Sequence, residues 1–342
     1  MDVQEQDYGE VAGRPVTRYV LSNDHGTSIA ILSYACLWQS FGVLEDGVRR
    51  ELVVGFDRLE DYVATPYAVG KVVGRVAGRI AEARFDLDGH TVRLDANEGA
   101  NTLHGGSHGL QDLVWPGRVY HEDGAVAVRF HRRVTPAYDR FPGTLDVEVE
   151  YRLDRNDQVT ITFRGESDAT TLFDPTCHVY FNVADGQPSL RNQWLEIPGS
   201  GRLDVDAQKI PTGRILDTGG TPYDFSSPVN LGAALDGLSA ATGRPEFDDA
   251  YAVTAGEESP VAVVGDDAGH RTVSVYSDRN GLVVFTANPL DPARADRHDY
   301  NALALEAQTL PDAIHHADFG DIVLPAGEPR AFRIRYAYTR SA

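Results

Sequence analysis

Apolar and polar residues alternate one by one over many short stretches of this chain: residues 28–32, 126–130, 146–153, 159–163, 273–276, 282–286 and 331–338. Successive side chains on a strand point to opposite faces, so a repeat of two rich in Val, Ile, Phe and Tyr marks a half-buried strand. Turn formers stand between such runs, as in Leu87-Asp88-Gly89, Glu122-Asp123-Gly124, Arg155-Asn156-Asp157 and Arg279-Asn280-Gly281, and several of these suit hairpin connections. Helical signals are few and short: a capping-box pattern at Asp57-Arg58-Leu59-Glu60 and a stretch after Asn230 through Ala233, Ala234 and Leu235. Neither supplies a bundle or a βαβ crossover. No repeat or composition break divides the chain, which predicts one all-β domain over residues 1–342, a large antiparallel β-sandwich.

Charge narrows the partners. With 51 acidic against 31 basic residues and a formal charge of -20, the surface repels phosphate backbones and anionic lipid heads, so neither nucleic acid nor membrane is an expected partner. The stretch 25–44 is free of charged residues but broken by Ser, Thr, Gln and Gly, which reads as two strands and a turn, not a membrane span. Cys36 and Cys177 belong to no CxxC pair, and the first residues lack the basic and apolar regions of a secretory signal. A reducing, cytoplasmic setting is the expectation, without a thiolate metal site.

Three segments carry residues suited to chemistry. In Asn101-Thr102-Leu103-His104-Gly105-Gly106-Ser107-His108-Gly109, glycines let backbone approach a ligand closely and His104 is placed to point into the hollow. The same segment matches GxSxG, but Trp115-Pro116-Gly117 blocks the helix that a nucleophile elbow needs. His104 and His108 have the spacing of a helical metal pair, which Gly105 and Gly106 oppose. Read as a strand, residues 174–182 place Thr176, His178, Tyr180 and Asn182 on one face, with Cys177, Val179 and Phe181 on the other. Glu306 lies in the apolar run 303–307, where an ionised carboxylate is costly and its pKa is drawn up toward the range of a general base.

These segments, in this order, resemble the galactose mutarotase (aldose 1-epimerase) family from about residue 18 to residue 338. The likeness includes Val54-Gly55-Phe56-Asp57, Gly74-Arg75-Val76-Ala77-Gly78-Arg79-Ile80, Asn101-Thr102-Leu103-His104-Gly105-Gly106, His178-Val179-Tyr180-Phe181-Asn182, Ile210-Pro211-Thr212-Gly213, Phe247-Asp248 and Leu305-Glu306-Ala307-Gln308. The resemblance implies a β-sandwich enzyme that interconverts the anomers of a free hexose, monomeric or homodimeric, with neither cofactor nor metal. It also implies His178 as the acid toward the ring oxygen, Glu306 as the base toward the C1 hydroxyl, and Arg79, His104 and Asp248 as holders of the sugar.

Three positions depart from the family pattern. Gly78 stands where asparagine is usual, Asp249 where histidine is frequent, and Arg279-Asn280-Gly281 replaces a Gln-Pro-Gly or Glu-Pro-Gly. An arginine beside the sugar implies a substrate with a carboxylate, because a guanidinium binds one bidentately. The competing expectation is that Arg279 pairs with an acidic neighbour. A binding protein without catalysis would need neither His178 nor Glu306, and a glycoside hydrolase would need two carboxylates in place of this pair.

Overall fold

A computed structural model describes residues 1–184, 189–199, 201–244, 246–291 and 299–341. Among them, the backbone forms a nine-stranded antiparallel sheet, a six-stranded and a five-stranded one, and several two-stranded ribbons. The nine-stranded sheet runs from Gly117–Glu122 through Ala125–Val134, Leu145–Asp154, Gln158–Ser167 and Arg330–Arg340. It continues through Arg271–Ser277, Ala262–Asp266 and Gln193–Glu196 to Val229–Asn230. Its inner face follows the alternation in the sequence: Val147, Val149, Tyr151 and Leu153 on one strand lie beside Val159, Ile161 and Phe163 on the next, all buried. Each such side chain contributes about 1.5–3 kcal/mol by leaving water.

The facing layer is made of the other two large sheets. Trp38 from the five-stranded sheet packs its ring against Phe41, Tyr151, Phe181 and Tyr336 at 5.0–6.5 Å between centroids. Leu282 and Val284 on Gly281–Ala287, and Leu303, Leu305 and Ala307 on Ala302–Gln308, enter the same core. Their neighbours Val283, Phe285, Glu306 and Gln308 therefore point to the other face of the six-stranded sheet, and all four line one pocket. Every residue of Ala302–Gln308 is buried, which is why Glu306 sits in an apolar run.

The 25–44 stretch forms Ser28–Leu32 and Leu37–Glu45, and among the described residues no helix is long and apolar enough to cross a membrane. Three of the four turn signals close hairpins. The fourth does not: Arg279-Asn280-Gly281 carries the chain from Arg271–Ser277 in one sheet to Gly281–Ala287 in the other. The helix Leu231–Thr242 starts at Asn230, whose side chain accepts from the Ala233 N–H at 2.9 Å, and ends at Gly243 in the left-handed region. At the other helix, Leu59–Ala64, the expected capping box does not form. The cap falls one residue later, on extended Arg58 with no side-chain capping bond, and the Asp57 carbonyl accepts from the Tyr8 hydroxyl. Burial of Leu59 and Tyr62 holds that helix instead.

Candidate active site

The pocket on the six-stranded sheet has a volume of about 350 Å³, within the range of small-molecule sites. Its floor is made by residues from two segments. Glu306 comes from the strand just described. His178 comes from 174–182, which is two short strands, Thr176–Cys177 pairing with Val72–Val73 and Tyr180–Phe181 pairing with Ala302–Gln308. Alternation nevertheless holds across the break, with Cys177, Val179 and Phe181 in the core and His178 and Tyr180 in the pocket. The His178 backbone is fixed on both sides: its N–H donates to the Lys71 carbonyl at 2.8 Å and its carbonyl accepts from the Gly70 N–H at 2.9 Å.

His178 Nε2 lies 3.4 Å from Glu306 Oε1, and both side chains are buried. His178 Nδ1 and Glu306 Oε2 have no hydrogen-bond partner. Both residues line the pocket, so a bound molecule can supply the missing partners. Burial, helped by the Asp248 carboxylate and opposed by Arg79, pushes the Glu306 pKa up to about 8. Burial pushes His178 down to about 4. Loss of hydration on a fully enclosed ring penalises its charged form. Between these values the pair holds one proton, so it has one donor and one acceptor at neutral pH.

His104 has a left-handed backbone, φ 51°. The Gly78 N–H donates to its Nδ1 at 3.2 Å, which leaves the proton of the neutral ring on Nε2. Desolvation, with His178 and Arg79 nearby, holds its pKa well below the ordinary value, so it is a neutral donor 5.4 Å from the His178 ring, centroid to centroid. Gly105 serves this loop rather than a ligand: a Cβ there would stand 2.0 Å from the Gly74 carbonyl oxygen. Ser107 and His108 are exposed and outside the pocket. Ligand atoms of His104, His178 and Glu306 lie within 4.8 Å of one another. Ligands on a tetrahedral zinc at about 2.0–2.1 Å would be roughly 3.4 Å apart, which is the separation of His178 Nε2 and Glu306 Oε1.

Two ion pairs form the charged walls. Arg79 grips Glu98 with Nε and Nη2 at 2.6 and 2.8 Å, and Lys209 pairs with Asp248. The pocket thus gathers His178, Glu306, Arg79, His104 and Asp248. It does not gather Arg279. That side chain turns into the core, where Nη1 donates to Asp174 Oδ1 at 2.9 Å and to the Pro175 carbonyl, and Nη2 to the Ala307 carbonyl. Its guanidinium also covers the Phe332 ring at 4.9 Å. The acidic-neighbour expectation is the one met, and Arg279 offers the pocket no cation for a sugar carboxylate. Asp249, on the reverse of the Asp248 strand, pairs with Arg202 at 2.7 Å. Gly78 does line the pocket. Sequence reasoning passed over Lys209, Glu98, Tyr67 and Phe285. Of these only Lys209 left a signal, as one of two lysines next to the Ile210-Pro211-Thr212-Gly213 motif.

Fold and pocket together define an all-β protein with a buried histidine–carboxylate pair sharing one proton beneath polar walls. The family model described as aldose 1-epimerase matches residues 17–337. A maltose epimerase of Levilactobacillus brevis is 50% identical over 340 residues, 99% of this chain and 100% of that protein. An aldose 1-epimerase of Streptococcus thermophilus is 35% identical across the whole of both chains. The crystal structure of galactose 1-epimerase from Lactobacillus acidophilus superimposes with a TM-score of 0.87 over 100% of both chains at 23% identity, which shows the shared fold. The chain belongs to the aldose 1-epimerase family of isomerases.

Proposed function

We propose that this enzyme interconverts the anomers of a reducing sugar by acid–base opening and reclosure of the pyranose ring, and that its preferred substrate is a glucose disaccharide of the maltose type. The observation that carries the chemistry is the 3.4 Å approach of His178 Nε2 to Glu306 Oε1 on the pocket floor. The sugar is suggested by the name of the Levilactobacillus brevis relative, with which half of the residues are shared over full length.

The proton the pair shares passes from Glu306 to His178 across their 3.4 Å contact, and His178 gives it to the ring oxygen while the Glu306 carboxylate takes the proton of the C1 hydroxyl. The bond from C1 to the ring oxygen breaks and the C1 carbonyl forms. Rotation about C1–C2 presents the other face of the aldehyde, and reclosure returns both protons. The form that opening leaves behind, neutral His178 beside protonated Glu306, is the one that burial favours in the empty site. The His104 Nε2–H, Arg79 and Asp248 orient the hydroxyls.

The test is anomer exchange followed by NMR or polarimetry on maltose, glucose and galactose. His178→Asn and Glu306→Gln are each expected to lower kcat by about 10²–10⁴. Full activity in either variant would sink the acid–base assignment, and a rate on glucose equal to that on maltose would sink the substrate preference.

A further inference from the structure

An aromatic strip leads from the catalytic pair to the mouth of the pocket. The His178 ring lies 5.0 Å from Tyr180, Tyr180 lies 6.3 Å from Phe285, and Phe285 lies 6.5 Å from Tyr67, tilted by 31°. Tyr180 and Phe285 belong to the sheet, whereas Tyr67 stands with Pro66 and Ala68 on the loop after the helix Leu59–Ala64. Tyr67 is half-buried and Pro66 exposed, so this side of the pocket reaches solvent as an apolar surface. The loop is pinned: the Tyr180 hydroxyl donates to the Tyr67 carbonyl at 2.9 Å, the Tyr67 N–H reaches the Thr65 hydroxyl, and the Ala68 carbonyl accepts from the Lys71 N–H.

The other walls mix aliphatic side chains, Leu103, Leu203, Val205 and Pro211, with charged ones. Arg79 with Glu98 and Lys209 with Asp248 are closed ion pairs, whose charges already answer each other. A pyranose has apolar C–H faces and a polar rim, so it lies face-down on an aromatic ring and turns its hydroxyls toward charges. Among the described residues of the pocket, the Tyr and Phe side chains are Tyr67, Tyr180 and Phe285, so a second ring attached to a sugar at His178 and Glu306 finds an aromatic floor toward Tyr67.

We propose that Tyr67, backed by Phe285 and Pro66, is the platform for the second, non-reducing glycosyl unit of a disaccharide. This rests on the anomerisation reading above and deepens it, by locating the subsite that separates a disaccharide from a monosaccharide. The ring, not the hydroxyl, makes the contact, and the pinned loop presents it without a cost in ordering.

The test compares kcat/KM for maltose and for glucose in the wild type, Tyr67→Ala and Tyr67→Phe. Tyr67→Ala is expected to lower the maltose-to-glucose ratio about tenfold, while Tyr67→Phe keeps it within about twofold. Glucose turnover in the same preparations reports folding. A parallel fall on both sugars would make Tyr67 a wall of the inner site and overturn the subsite, as would an unchanged ratio in Tyr67→Ala. If the wild type anomerises glucose but not maltose, the subsite and the disaccharide preference fall together while the acid–base pair stands. Inactivity on both sugars overturns the catalytic reading itself.

Discussion

Arg279 and Asp174 form an ion pair at 2.9 Å in which each side chain is 2% exposed, and it braces the two segments that carry the catalytic groups. Asp174 precedes the segment that carries His178 and also accepts from the Thr309 N–H and hydroxyl, while Arg279 reaches the carbonyl of Ala307, next to Glu306. The Thr176 hydroxyl donates to that same carbonyl at 2.7 Å. Removing one partner leaves a buried charge without its counterpart, so Arg279→Gln is expected to cost about 3–5 kcal/mol in urea unfolding. Asp174→Asn combined with Arg279→Gln should cost less than the sum of the single changes, since no lone charge remains. Strictly additive losses would show that the pair does not act as a unit.

The pH profile of kcat/KM follows from the single shared proton. As pH rises through about 8, Glu306 loses that proton and the pair has no donor; as pH falls through about 4, His178 takes a second and the pair has no acceptor. A plateau between these limits is expected, with each limb falling about tenfold per pH unit, and the apparent values belong to the pair. The Asp248 carboxylate raises both groups, so Asp248→Asn should move both limbs to lower pH. A shift of either limb upward would contradict this electrostatic account.

Much of this architecture is legible without coordinates because period-two patterning reports directly on which face of a strand is buried. Val147 to Leu153 and Val159 to Phe163 lie inside as the alternation requires, and His178 stands opposite Cys177 and Val179. The misplaced residue is Arg279. It sits in a link between sheets, and neither spacing nor composition states whether such a side chain turns to the pocket or to the core. The missed cap at Asp57 is of the same kind, a register of one residue set by the packing of Leu59 and Tyr62. Tyr67 and Phe285 are ordinary aromatics in the sequence and become a strip only when a loop and a strand meet.

Gly105 is the tighter of the two central glycines in the His104 loop. Both have positive φ, 86° and 93°, but a Cβ at Gly105 would lie 2.0 Å from the Gly74 oxygen, whereas at Gly106 the nearest atom is 3.4 Å away. Gly105→Ala must push apart the backbones that carry His104 and Gly74, and should cost at least about 2 kcal/mol and most of the activity. Gly106→Ala carries only the backbone strain, about 1 kcal/mol. Thermal unfolding and anomer exchange on the two variants check the order; equal damage would remove the steric argument.

Glu306 also sets a conflict between stability and function. Its pKa rises from 4.5 to about 8 on folding, so the folded chain holds this proton more tightly than the unfolded one. The stability due to that proton is fully present below pH 4.5 and is lost as pH rises to about 8, at up to about 1.4 kcal/mol per pH unit. Glu306→Gln removes the titration and keeps the shape. The variant should therefore match the wild type in stability near pH 4.5, gain on it steadily up to about pH 8 and keep a constant lead above that, while losing anomerisation at every pH. Urea unfolding of both proteins from pH 4.5 to 9 measures the difference. A stability gap that does not change with pH would mean that Glu306 is not driven to hold a proton, and the upper limb of the activity profile would then need another owner.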